Sequence, residues 1–175
     1  VQTCALPIFI QPVFDDLLDF DSLGTVNVKV KIEDKWGIVD RNGNWLIQPV
    51  FDDLLDFDRL VTVNVKVKIE DKWGIVDKNG NWLIQPVFDD LLDFDSFGTV
   101  NVKVKDKWGL IDRNGNWLIQ PVFDNIYYFD DNGMAIAEEN ERFGYIDRSG
   151  TWLIIPKFNK ACGFNQNGIA QVYYR

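Results

Sequence analysis

The stretch VNVKVKIEDKWGIVDRNGNWLIQPVF, residues 26–51, decides the fold. Its opening alternates without a break, with Val26, Val28, Val30 and Ile32 on one side and Asn27, Lys29 and Lys31 on the other. A period of two marks a half-buried strand, so the apolar set is expected to face a core and the polar set water. Glu33-Asp34 is a short connection to a second strand, Lys35 to Asp40. Asn42-Gly43 is expected to supply the positive-φ positions of a tight hairpin turn. A third strand runs from Trp45 to Phe51, and Pro49 within it lacks an N–H, which predicts a sheet edge or a bend at the proline. The following DDLLDFD, Asp52 to Asp58, reads as a loop with room for one helical turn. One such stretch is an antiparallel three-stranded meander plus a crossover.

The stretch recurs. Prolines 12, 49, 86, 121 and 156 are separated by 37, 37, 35 and 35 residues, and Trp36, Trp73, Trp108 and Phe143 keep the same intervals. Residues 12–48 and 49–85 differ only at Ser22/Arg59, Gly24/Val61 and Arg41/Lys78. Periods in this range signal stacked units, each too small to bury its own apolar face. The units are 12–48, 49–85, 86–120, 121–155 and a partial 156–175, read together as one repeat domain over 9–175. Residues 1–8 share nothing with their counterpart 38–45 and are read as a non-repeat leader foreign to a longer array. The step from 37 to 35, VKIEDKWG becoming VKDKWG, is assigned to the loop before the Trp.

The expected fold is therefore all-β: a tandem array of three-stranded meanders in an open, solenoid-like stack, with a closed propeller as the second expectation. A lone meander is marginal in water. Burying one Trp of about 200 Å² at roughly 25 cal/mol/Å² gives about 5 kcal/mol gross. Trp36, Trp45, Trp73, Trp82, Trp108, Trp117 and Trp152 are thus expected to be the structural signature that holds successive units together.

Composition narrows the function. The chain has 175 residues, 18 Lys plus Arg against 27 Asp plus Glu, and a net charge of −9, the opposite of a nucleic-acid-binding balance. It contains no His, which removes the commonest metal ligand and general base. Its two cysteines, Cys4 and Cys162, make neither a disulfide framework nor a zinc site. No run of about 18 apolar residues marks a membrane span.

The residues K-W-G-[IL]-[VI]-D-x-N-G-N-W-L-I-Q-P-x-F-D resemble the bacterial WG-repeat family, over 9–175. The fourth unit resembles it most, with FDDNGMA (129–135), RFGYID (142–147) and IPKF (155–158), Phe143 standing for Trp. Units one to three depart where LGTV (23–26), LVTV (60–63) and FGTV (97–100) occupy the family's N-G-[MI]-A corner. The resemblance implies a β-rich repeat module, often within multidomain bacterial proteins, with no common activity and no catalytic residues to transfer.

Candidate chemistry is weighed on the same repetition. The pairs Asp15/Asp16, Asp52/Asp53 and Asp89/Asp90 are copied unit after unit, whereas a hydrolase needs two carboxylates in distinct environments. Asp40-Arg41-Asn42-Gly43-Asn44 puts its glycine at the fourth position of a would-be calcium loop, where the sixth is required. No catalytic, cofactor or metal residues are assigned. Lys29, Lys66 and Lys103, and Lys31, Lys68 and Lys105, are expected to form basic stripes able to steer a protein partner. The expected function is a non-enzymatic scaffold offering repeated surfaces to a protein, near-identical copies favouring avidity. The alternative is a carbohydrate or cell-envelope binder that stacks sugars on exposed Trp rings.

Overall fold

A computed structural model describes residues 16–18, 28–40, 43–55, 64–165 and 167–174. The leader, Cys4, Val26, Asn27 and Asn42 lie outside that set. The chain divides between Asp53 and Leu54 into two compact units. The first holds an antiparallel sheet in the order β1 (Asp16–Leu18), β2 (Val28–Ile32), β3 (Lys35–Val39) and β4 (Trp45–Phe51).

The second unit repeats that plan. One sheet is β5 (Asp53–Leu54), β6 (Val65–Ile69), β7 (Lys72–Val76) and β8 (Trp82–Phe88). The next is β9 (Asp90–Leu91), β10 (Thr99–Val104), β11 (Lys107–Asp112) and β12 (Trp117–Phe123). A third is β13 (Asn125–Ile126), β14 (Met134–Glu139), β15 (Arg142–Asp147) and β16 (Trp152–Phe158). A two-stranded pair, β17 (Lys160–Ala161) and β18 (Val172–Tyr173), follows. No described sheet closes on itself, and all pairings are antiparallel, so the all-β tandem architecture is the one the alternation predicts.

Each meander carries a fourth, short strand where the sequence predicts a loop or helical turn. Asp90-Leu91 pairs with Lys103-Val102, and Asn125-Ile126 with Glu138-Ala137. The cause is burial: Leu54, Leu91 and Ile126 are sunk in the core, and a chain that buries a side chain so deeply must also pair its backbone. The proline strands β8, β12 and β16 sit at sheet edges, as Pro86, Pro121 and Pro156 require.

The two hairpin turns exchange the chemistry expected of them. Glu70 and Asp71 have φ of 48° and 64°, and Lys105-Asp106 and Asn140-Glu141 match them, so the connection into the Trp strand is the two-residue turn with both φ positive. In the Asn-Gly turn only the glycine is positive, Gly80 and Gly115 both at 81°. It is a three-residue loop closed by an aspartate: Asn81 N–H donates to Asp77 Oδ1 at 2.8 Å, and Asp77 N–H to Asn81 O at 2.8 Å. Since the first turn keeps two residues in every repeat, the two-residue difference lies before that turn, between the corner and the lysine that faces the Trp. Lys103 faces Trp108 as Lys68 faces Trp73, while Gly98 lies ten residues before its Trp and position 61 twelve. Removing an even number preserves which side chains point inward; an odd number would have turned the strand inside out.

In the second unit the core lies between consecutive sheets. Ile75, Ile84 and Phe88 meet Leu91, Val100, Val102 and Ile111, and one sheet further Leu110, Ile119 and Phe123 meet Ile126, Ala135, Ala137 and Ile146. Not every alternate residue faces water, which corrects that assignment on the inner strands β2 and β10. Lys29 is only 7% exposed, its Nζ 4.1 Å from the Trp36 ring centroid, and Asn101, at the corresponding position of β10, is 5% exposed. Asn101 spends its amide on the backbone, donating to Ile126 O at 2.8 Å.

Candidate functional site

The WG pair is positioned by a β-bulge. Pairing of β11 with β12 shifts register between Trp108 and Leu110, letting β12 cross close over Gly109. A Cβ on Gly109 would lie 2.5 Å from Ile119 O and 2.8 Å from the Trp117 ring, and Gly37, Gly74 and Gly144 are equally enclosed. The two tryptophans of a repeat therefore have different jobs. Trp36, Trp73 and Trp108 lie beside lysines, with Lys68 Nζ 5.7 Å from the Trp73 centroid. Trp117 and Trp152 lean edge-on against Phe88 and Phe123 of the preceding sheet, at 5.9 and 5.3 Å between centroids. All seven indoles are partly exposed, and Trp117 reaches 36%. They flank an aliphatic core rather than form it.

The lysines do not fall into the two series that sequence spacing gives. Lys31, Lys68 and Lys103 share one register position, each opposite a Trp, and each pairs with an aspartate three residues on: Asp34 at 3.1 Å, Asp71 at 3.2 Å and Asp106 at 3.5 Å. Lys29 and Lys66 share another position, filled by Asn101 in β10. Lys66 reaches Asp93 at 2.6 Å. Lys105 sits in the turn with φ of 48°. The misalignment follows from placing the lost residue pair in the turn.

The acidic crossovers are joints. Asp89 accepts from Lys72 of the preceding repeat and, at 2.7 Å, from the Lys105 N–H of its own; Asp124 does the same with Lys107 and the Asn140 N–H. Lys72 and the Lys105 amide hold the Asp89 carboxyl below its ordinary value of 3.8, and Lys107 and the Asn140 amide lower Asp124. Asn81 lowers Asp77, Asn116 lowers Asp112, and Ser149 with Thr151 lowers Asp147. Among the described residues, no three acidic or cysteine side chains gather as a metal-holding group.

These carboxylates set the acid limit of the fold. A depressed folded pKa contributes stability that is complete above the unfolded value and disappears as pH falls through the folded one. The thermal midpoint is expected to stay nearly level from pH 7 to about 5 and to fall steeply below about 4. Thermal melts by circular dichroism across pH 2.5–7 check this; a midpoint that rises on acidification contradicts it.

One cluster has no counterpart in the sequence reading. Arg148, in the turn after β15, donates from Nη2 to Asp95 Oδ2 at 3.0 Å and from Nη1 to Thr99 Oγ1 at 3.1 Å. Its guanidinium lies 3.9 Å from the Phe97 ring centroid and 4.8 Å from that of Phe129. Burial pushes the Asp95 carboxyl up, but bonds from Thr99 and Arg148 outweigh it and the net shift is downward. Asp95 also organises the FGTV corner, accepting the Thr99 N–H at 2.8 Å, with Gly98 at φ 79°. Asp130 and Gly133 build the same corner, so the departure from the family pattern there changes letters and preserves geometry. Spacing alone conceals the link, because Arg148 looks like an ordinary turn residue until two sheets are stacked.

The exposed repeated surface is the proline edge strand. Leu83, Gln85 and Val87 in β8 recur as Leu118, Gln120 and Val122 in β12, all exposed. In β16 the positions are Leu153, Ile155 and Lys157. Cys162 is a free, exposed thiol. Among the described residues no helix is long and apolar enough to cross a membrane.

Comparison with solved structures returns distant likenesses. An initiation factor described as eukaryotic shares 11% identity at a TM-score of 0.49, covering 83% of this chain and 47% of that one. Hsv2p of Kluyveromyces lactis shares 12% at 0.46, covering 85% and 53%. A Cicer arietinum plant lectin with two metal-binding sites shares 12% at 0.29, covering 73% and 84%. The chain spans about half the length of the first two. No curated protein sequence matches it. The family model for the WG containing repeat matches residues 36–59, 73–108, 108–142 and 143–174, and these matches begin at or beside the Trp-Gly or Phe-Gly pairs whose glycine the bulge encloses. The chain belongs to the WG containing repeat family.

Proposed function

We propose that the chain is a non-enzymatic scaffold that presents repeated surfaces to a protein partner. The observation that carries this is the recurrence of exposed Leu, Gln and Val at the same edge-strand positions of β8 and β12. Aligned copies of one weak contact multiply affinity through effective concentration. The ionisable groups fit a structural role in the same way: Asp77, Asp89, Asp112, Asp124 and Asp147 are each engaged by backbone amides, lysines or turn side chains. Lys31, Lys68 and Lys103, at one register position beside the tryptophans, supply a charged border that orients the partner.

The carbohydrate reading requires indole faces open to solvent, and partial exposure of Trp117 is the feature that favours it. Iodide quenching of tryptophan emission, with and without a panel of glycans, separates the two readings. Partial quenching that glycans leave unchanged is expected. Protection from iodide by a glycan overturns the scaffold reading in favour of sugar stacking.

A further inference from the structure

One register position changes character in the fourth repeat. Lys31, Lys68 and Lys103 each stand opposite a Trp, with Lys31 Nζ and Lys68 Nζ both 5.7 Å from the centroids of Trp36 and Trp73. These repeats supply an ammonium of their own to the WG ring and balance it with an aspartate three residues on. In β14 the same position belongs to Glu138, opposite Phe143, and three residues on stands Glu141. A neutral lysine–aspartate pair has become two carboxylates beside a ring.

The ring has a second aromatic for company. Tyr127 follows β13, its N–H donating to Ile136 O at 2.9 Å, and residues opposite one another across a ladder share a face. Tyr127 therefore stands on the face of Ile136 and Glu138, where its ring meets Phe143 at 6.5 Å between centroids and 53°. Leu55 and Leu92 occupy its place in other repeats, each donating its N–H into the neighbouring strand in the same way. Among the described residues neither Glu138 nor Glu141 forms an ion pair with a basic side chain. Arg142, next in sequence, stands opposite Glu139 on the other face. Tyr127 is 44% exposed and Glu141 is exposed, while Glu138 and Phe143 are half-buried. Solvent reaches this position where a complete sheet follows it, since Lys68 keeps 29% of its side chain exposed beside Trp73.

We propose that Tyr127, Phe143, Glu138 and Glu141 form a receptor for the side-chain ammonium of a lysine on a partner protein. This deepens the scaffold reading, on which it rests, by naming the group that a partner offers to the fourth repeat. The negative ring faces attract a cation placed over them, and the carboxylates accept its N–H donors. The incoming ammonium takes the place that Lys31 and Lys68 fill from within the chain. A net charge of −9 favours encounter with a basic segment. One such contact is weak, in the millimolar range for an isolated lysine, and gains strength only alongside other contacts to the same partner.

The test titrates the 175-residue chain with Nα-acetyl-lysine methylamide at constant ionic strength and follows the ring-proton resonances of Tyr127 and Phe143. Saturable shifts are expected at these two rings, with Trp73 and Trp108 unmoved. The Nε-acetylated analogue keeps the stem and loses the charge, and it is expected to bind at least tenfold more weakly. Glu138→Lys and Tyr127→Leu install the residues that other repeats carry at those positions, so the fold is expected to persist while binding weakens at least fivefold. Glu138→Gln removes only charge and is expected to weaken binding at least threefold. Absence of saturable shifts overturns the proposal, and so does an equal response to the acetylated analogue or undiminished binding by any of the three variants. Any of these failures leaves the glycan and iodide outcome, and with it the broader scaffold reading, untouched.

Discussion

Gly109→Ala is expected to cost at least about 3 kcal/mol, at the upper end of what overpacking does to a well-packed interior. The added methyl meets Ile119 O at 2.5 Å and Pro121 N at 2.9 Å, backbone atoms that cannot swing aside, and the Trp117 ring at 2.8 Å. Relief requires parting β11 from β12 at the bulge, which also lifts Trp117 from Phe88. Gly115→Ala is the control. Its Cβ meets nothing within 4 Å, and only its φ of 81° is strained, so roughly 1–2 kcal/mol is expected. Urea unfolding of the two variants beside the parent checks both values. Equal losses would show that the WG glycine serves backbone conformation alone and not close approach.

Phe123→Ala is expected to cost about 3–5 kcal/mol, the usual toll for removing a buried aromatic ring. Phe123 is 3% exposed and supports both the aliphatic cluster and the edge of Trp152. The loss should be local. In a tandem array each module is stabilised by its nearest neighbours, so weakening one joint uncouples what lies beyond it. Hydrogen exchange is the measurement: amides of β14 and β15 are expected to lose protection by orders of magnitude while β6 and β7 keep most of theirs. Uniform loss across all sheets would mean the second compact unit folds as one cooperative block.

Much of this was legible in residues 26–51. Alternation located the valine strands, Pro49 and its copies located the sheet edges, and the recurrence of the motif predicted that sheets rest on one another. The turns were not legible. Asn-Gly is the strongest short hairpin signal, yet a preceding aspartate captures the loop with its carboxylate and turns it into a three-residue form. Glu-Asp and Lys-Asp carry no glycine, yet the pairing of both flanking strands forces them into the left-handed region. Arg148 was invisible for a different reason: its partners, Asp95 and Thr99, lie on another sheet.

By itself the sequence determined the strand period, the modular repeat and the residue types that border each joint, because these depend on local sterics and on hydrophobic spacing along the chain. Only the tertiary structure decided which faces lack water, why the Trp-Gly glycine tolerates no side chain, and where lysines and carboxylates meet. Those outcomes arise when one sheet covers another: stacking buries side chains, such as Asn101, that alternation assigns to water, and close approach turns a missing methyl group into a requirement.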